Sequence, residues 1–382
     1  MTLYLIVFFA LWGVFYISAV KGDIVVPFEY LALAIFIIFA GQRFETGNDW
    51  LTYRDHYLAL QQFGFSGGDS PQFPAFEPLY VLTVWLSGHL FDFQTFLFIV
   101  AVFNGLILFW FAKVWGASFC GLAAIYYAWV YLATQMATTR YSLAMSFILL
   151  ALICLAQSRR ALAYALILVA AGFHFFSLAF IPIVLLIGRR LSFRLAILTL
   201  VIGFVFVHLV LLAVSSGALD SLPFSEKIVF YLDQATVKQI SFGSVGYIGL
   251  NLAFFYWIMK GEGVLIEDNK MLLVKWSMFY LLFFQVVVWM LPVFWNRVQI
   301  FVIVIQACVL SKYMVDRRNV LFLLASAAIS LAAFTKFLAD PAFISYIPYQ
   351  SYWVDKVLTD SAREDGTLRF MEAIDQNKLR AH

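Results

Sequence analysis

Arg43, Arg140, Arg297 and His174 are the cationic groups whose placement could serve chemistry, and Asp49, Asp55 and Glu77 are the carboxylates that could work with them. Each cation lies in an apolar run or at its edge, where an ionisable group is costly and is a functional candidate by default. Arginine is always charged and grips phosphate oxygens in pairs. Several arginines together would therefore accept an anionic headgroup such as a phosphate or pyrophosphate, and a nearby carboxylate could serve as a general base. Each residue also has a plain reading. Arg43 would snorkel to headgroups, Glu77 would cap a helix before Pro78, His174 would be a hydrogen-bonded core histidine, and Arg140 and Arg297 would anchor helix ends.

The elements that must position these groups are membrane helices. Of 382 residues, 64% are hydrophobic and 12% charged, against roughly 45–50% and about 25% in a soluble domain. Such a chain has too little polar surface to be soluble. Its 42 Phe, 19 Tyr and 11 Trp suit lipid-facing and interfacial positions. A net charge of +3 is too small to suggest nucleic acid. Cys120, Cys154 and Cys308 fall in or near apolar runs and read as small hydrophobes. Met1 to Val20 is apolar without a basic leader and reads as a first span.

Apolar runs predict helices over 3–20, 25–42, 94–112, 117–134, 140–156, 195–214, 243–259, 271–291, 296–311 and 319–336. This is an all-α polytopic protein with about 10–12 hydrophobic segments. Two stretches fit a full span poorly: 77–91 is short, and 161–187 is too long, with His174 near its centre. The Arg159-Arg160, Arg189-Arg190-Arg194 and Lys312-Arg317-Arg318 clusters mark cytoplasmic loops. With the first two on one side, 161–187 enters and returns as a hairpin of two half-helices tipped near Gly172 to Ser177. The alternative is two ordinary spans that break the charge rule once. The hairpin topology puts the loops 43–76 and 215–242, the polar tail 337–382 and both termini outside. Residues 1–336 read as one transmembrane domain.

In the outer loop, Asp49 reads as the N-cap of a short helix, with Asp49, Tyr53 and His56 on one face. Anchoring arginines accumulate on the cytoplasmic side. Arg43, Arg140, His174 and Arg297 all fall on the other side, which favours a site over four isolated anchors. No Walker loop, H-E-x-x-H, G-x-S-x-G elbow or metal-ligand spacing is present, so metal-free and cofactor-free chemistry, or none, is the expectation.

The run Arg43-x-x-x-Gly47-Asn48-Asp49-Trp50-x-x-Tyr53 resembles the signature after the second span of EpsG-like proteins. So do Glu77-Pro78-x-Tyr80, Arg140-Tyr141-Ser142, Phe173-His174-x-x-Ser177, Asn296-Arg297 and Tyr346-Ile347-Pro348-Tyr349, in the family's order. Trp50 and Tyr141 stand where Tyr and Gln are common. The resemblance implies a GT-C-like membrane glycosyltransferase acting as a Wzy-type polymerase on the periplasmic face of a bacterial inner membrane. It would transfer a glycan from polyprenyl pyrophosphate to another lipid-linked repeat unit. It also implies partners: the lipid-linked glycan, the bilayer, and a chain-length regulator or other polysaccharide assembly proteins. On this reading Arg140, Arg297 and then Arg43 bind the pyrophosphate. Asp49 or Glu77 is the base, with His174 a rival, and Tyr53, Tyr80 and Tyr349 support the site. A flippase for lipid-linked sugars, or a ligase or glycan-modifying transferase, are the alternatives.

Overall fold

The computed structural model describes residues 1–65, 76–216, 242–261, 268–289 and 292–355, and it is helical with no strands among them. Most of the expected outer loop 215–242, part of 43–76 and the tail beyond 355 lie outside the described residues. Among the described residues, seven helices are long and apolar enough to cross a membrane, and four shorter apolar helices accompany them. The protein is an all-α polytopic membrane protein.

The helices gather into two compact units, Met1–Ile181 with Ala307–His382, and Pro182–Gln306. The first contains α1 (Thr2–Lys21), α2 (Val26–Gly41), α3 (Trp50–Phe63), α4 (Pro78–Gly88), α5 (Phe93–Val114), α6 (Phe119–Tyr126), α7 (Thr139–Ala156), α8 (Arg160–Phe173) and the helices after residue 307. Here α1 packs on α6, α2 on α5, α5 on α7, α7 on α8, and α4 on both α3 and α8. α9 (Ile181–Leu186) begins at the unit boundary. The second unit is built on α10 (Phe193–Ser215), α11 (Phe242–Lys260), α12 (Asp268–Val287) and the start of α13 (Pro292–Arg317). α14 (Val320–Ala339) and α15 (Tyr352–Asp355) complete the order.

Each unit holds its helices together by apolar packing with a few polar ties. In the second, Asn251 donates to Gln285 at 3.1 Å and accepts from Gln306 at 2.9 Å, which links α11, α12 and α13. Such bonds serve as glue where lipid gives helices no hydrophobic reason to associate. Outward side chains are frankly apolar: Leu198, Val201, Phe206 and Leu209 of α10 are each more than half exposed. A patch of that kind suits hydrocarbon and not water.

In the first unit, Glu29 on the first turn of α2 is fully buried. Its carboxylate accepts from Ser118 Oγ at 2.7 Å and from the Phe119 and Cys120 N–H groups at 2.7 and 3.2 Å, with Lys113 Nζ at 3.3 Å. It thereby satisfies donors that the start of α6 leaves without intrahelical partners. This also accounts for Cys120, which is buried and free like Cys154 and Cys308.

One expectation needs correction. The helix predicted over 117–134 is α only to Tyr126 and continues as a π-helix over Tyr127–Ala137. Long π-helices are rare because their bond geometry is poor, and here outside contacts support one. Tyr127 Oη donates to the Tyr4 carbonyl at 3.1 Å and Tyr131 Oη to that of Phe36 at 2.5 Å, while Tyr126 and Thr134 share a hydrogen bond of 2.7 Å. The run 161–187 is broken as expected, with α8 ending at Phe173, a 3₁₀ turn over Phe175–Phe180, and α9 after it.

Replacing Glu29 by Ala leaves the α6 donors and Lys113 without their shared acceptor. The expected cost is about 2–4 kcal/mol, read as a lowered thermal midpoint in detergent. Glu29→Gln, which keeps an acceptor oxygen, should fall between the two.

Candidate active site

Seven of the singled-out residues, Arg140, Glu77, Tyr80, His174, Asp49, Tyr53 and His56, come together in the first unit, on four separate elements. Arg140 is the second residue of α7. Its Nη1 donates to Glu77 Oε2 at 2.6 Å, an ion pair only partly open to solvent. Its guanidinium lies over the Phe76 ring, 4.2 Å from the centroid, a cation–π contact strengthened by removal from water. The Tyr53 hydroxyl reaches the same guanidinium. Arg140 Nε has no acceptor among the described residues.

Glu77 occupies the N-cap position of α4, with Pro78 in the first turn, as the Glu-Pro pair suggests. Its side chain makes no bond to its own helix. Oε2 goes to Arg140, and Oε1 accepts from the Phe175 N–H at 3.3 Å. The break after α8 therefore meets a carboxylate from α4. Leu79 reaches the same region: a Cβ on Gly172 would sit 2.4 Å from its Cδ1, so glycine lets α4 approach α8 there. His174 is the hinge of this break, both C-cap of α8 and N-cap of the 3₁₀ turn. Its Nδ1 accepts from the Phe176 N–H at 3.3 Å, and its ring meets Tyr141 edge-on at 5.2 Å. With Nδ1 accepting, the ring proton belongs on Nε2.

α3 brings its expected face to the cluster. Trp50, Tyr53, His56, Tyr57 and Leu60 are its buried residues. Tyr53 and His56 contact Tyr80 and Phe76, with ring centroids at 5.7 and 6.0 Å from Tyr53 and 6.3 and 4.2 Å from His56. Asp49 does hold the N-cap position of α3, but its side chain makes no capping bond. Burial raises its pKa, and the nearby Arg140 pulls the other way. Burial also pushes the Tyr53 phenol up to about 12. Burial, then the positive charge of Arg140, lowers His56 to about 4, so His56 is neutral at neutral pH. Asp55 pairs with Arg54 at 2.9 Å on the exposed side of α3, apart from these groups.

Arg43 is differently placed. It is 2% exposed. Nη1 donates to the carbonyls of Ala40 at 2.9 Å and Gln135 at 2.8 Å, and Nη2 to Thr139 Oγ1 at 3.4 Å. Tyr349 stacks on Phe39 at 4.4 Å and donates to its carbonyl at 3.0 Å. The segment around Tyr349 ties down the loop after α2. Phe44 N donates to Gln350 O at 2.9 Å, Gly47 N to Ser345 O at 3.1 Å, Tyr352 N to Gln42 O at 2.8 Å, and Ser345 Oγ meets Asn48 Oδ1. Arg297 lies in the second unit near the start of α13, half-buried.

Several contributors were not singled out from the sequence: Phe76 under Arg140, Thr139 against Arg43, and the network in which Gln135 accepts from Asn104 at 3.0 Å and donates to Tyr126 Oη at 3.0 Å. Asn104 and Gln135 are polar residues inside apolar runs, which was a usable signal.

The geometry amounts to a cation held in place by a carboxylate, a phenol and a ring face, with a second carboxylate, Asp49, close by. That arrangement can receive a phosphate anion and a proton. The family model described as EpsG family matches residues 28–351. No curated protein and no solved structure matches the chain.

His56 gives a pH prediction. The unfolded chain takes up a proton near pH 6.5, and the folded chain only near 4. Protonation therefore favours unfolding, and this contribution to stability falls as pH drops from about 6.5 towards 4, by at most roughly 1.4 kcal/mol per pH unit. Thermal midpoints in detergent should drop across that window more steeply for the native protein than for His56→Phe. Parallel profiles would show that His56 is not buried neutral.

Proposed function

Because the chain belongs to the EpsG family, whose members are Wzy-like polymerase-type proteins of polysaccharide biosynthesis, we propose that it is a glycosyltransferase that elongates a lipid-linked glycan at the periplasmic face of the bacterial inner membrane. The donor is a glycan on polyprenyl pyrophosphate, and the acceptor is a sugar hydroxyl of a second lipid-linked repeat unit. The observation that carries the reading is the Arg140–Glu77 ion pair, set over the Phe76 ring and beside Tyr53 and Tyr80, in one cluster with the helix that Asp49 begins.

In the transfer, the bond between the donor's anomeric carbon and the phosphate oxygen breaks, and the pyrophosphate leaves with the electron pair. Arg140 stabilises the charge that develops there, the role a preorganised cation fills best in a site shielded from water. The acceptor hydroxyl attacks the anomeric carbon and gives its proton to Asp49. A carboxylate raised by burial is a better match for that task than an ordinary one. Glu77 serves Arg140 instead, since its two oxygens are taken by the guanidinium and the Phe175 N–H. His174, with Nδ1 accepting, presents an N–H and is a donor to the substrate and not a base. Tyr53 and Tyr80 form the wall between them. The polyprenyl chain lies among the apolar helices. No metal enters the scheme.

The test is elongation of a lipid-linked repeat unit by purified protein, with products resolved by size. Arg140→Ala should lower the rate by roughly 10²–10³-fold and Asp49→Asn by roughly 10²–10⁴-fold, with both variants folded by thermal melt. Elongation that survives Arg140→Ala would remove that residue from the site. Absence of elongation in the native protein, with movement of the lipid across vesicle membranes, would replace the polymerase by a flippase.

A further inference from the structure

Arg43 is a buried cation whose described bonds go to carbonyl and hydroxyl oxygens and not to a carboxylate. Two of them explain how its charge is tolerated. Ala40 lies in the last turn of α2, and Gln135 in the last turn of the π-helix. The carbonyls that end a helix have no intrahelical donors and carry its negative pole. Arg43 answers both ends at once, with 2.9 and 2.8 Å bonds from Nη1. Its third bond, from Nη2 to Thr139 Oγ1 at 3.4 Å, reaches the first residue of α7, immediately before Arg140.

Gly47, four residues on, meets the same place from the other side. Its φ is +106°, and a Cβ there would lie 2.3 Å from the Met136 carbonyl oxygen. Only glycine allows both the backbone conformation and the approach. Behind the contact, the Gln135 side chain is tied to Asn104 and Tyr126, and Ser146 donates to Asn104 Oδ1 at 2.6 Å. The end of the π-helix is thus bonded on the Gln135 carbonyl by Arg43, abutted at the Met136 carbonyl by Gly47, and held on its Gln135 side chain by α5 and α6, with α7 joined through Asn104.

We infer that Arg43 and Gly47 are positioning residues, a clamp on the end of the π-helix that fixes where α7 begins and so holds Arg140 against Glu77. Arg43 itself does not bind the pyrophosphate. This rests on the reading of Arg140 as the cation that meets the leaving group. A lysine at 43 keeps the charge but has no planar fork to bond three acceptors together.

The experiment is the rate of phenylglyoxal modification of Arg140, followed by peptide mass spectrometry on the full chain in detergent. It compares Thr139→Val, Arg43→Lys, their combination and Gly47→Ala. Inorganic pyrophosphate binding is measured on the same samples. Loosening the clamp should speed modification of Arg140 about twofold or more, the low end of coupling between contacting residues, and should weaken pyrophosphate binding in step. The combination should exceed Arg43→Lys by little, because both changes break one contact. Ser118→Ala, which disturbs the Glu29 cluster instead, should lower the melting point and leave Arg140 reactivity unchanged. The inference is overturned if Thr139→Val and Gly47→Ala leave Arg140 reactivity as in the native protein, if the paired effects simply add, or if Ser118→Ala matches them. Should Arg43→Lys fail to fold, Thr139→Val and Gly47→Ala still decide. A native protein that binds no pyrophosphate would count against the polymerase reading alone, since Arg140 reactivity is measured without it.

Discussion

A helix that stops inside an apolar protein leaves N–H and C=O groups at its end with no water to take them, and this protein stops its helices inside several times. Each stop is met by a charged side chain, in all but one case from a distant part of the chain; the exception is the end of α2, met by Arg43 three residues on. Glu29 takes the donors at the start of α6, Arg43 takes carbonyls at the ends of α2 and the π-helix, and Glu77 takes the Phe175 N–H after the break in α8. A buried charge is expensive without partners, and a buried helix end is expensive without them too. Bringing one to the other removes both costs. The elements that look irregular are thereby the most tightly specified.

The cluster around Arg140 is a consequence of that solution. Glu77 must lie beside the broken helix to serve Phe175, and Arg140 must lie beside Glu77 to balance it. The ring faces of Phe76, Tyr53, His56 and Tyr80 then close round the pair. Burial raises Asp49 and lowers His56, so each is biased towards its neutral form. The Arg140–Glu77 ion pair is left as the main charged contact of the cluster. The guanidinium is thereby aimed by one carboxylate and one ring face before any ligand arrives.

The bilayer shapes the remainder. Apolar side chains on α10 and α14 face outward, among them Leu198, Val201, Phe206, Leu321 and Leu324, each more than half exposed. With no hydrophobic reason to shed lipid for a neighbouring helix, specificity within each unit falls to bonds such as Asn251 with Gln285 and Asn104 with Gln135.

The sequence by itself determined the class of protein, the bounds of most helices, the break at His174, the helix that begins after Asp49 and the face it buries. These come from properties of short stretches: apolar run length, a period of 3.6 residues, and a proline or glycine at a particular place. Family membership was also legible, because its motifs are local and keep their order. What only the tertiary structure decided was who meets whom. Arg140 and Glu77 are 63 residues apart in the chain, and Arg43 and Gln135 are 92 apart. No periodicity encodes such a pairing, which results from packing α2, α4, α7 and the π-helix together. The π-helix was illegible for the same reason. Its residues read as an ordinary apolar helix, and its wider winding is supported by Tyr4, Phe36 and Arg43, contacts that exist only once the chain has folded. The sequence could therefore show that Arg43 and Arg140 were unusual residues for a membrane helix boundary. It took the fold to separate them, one buried on helix-end carbonyls and the other ion-paired with Glu77 over the Phe76 ring.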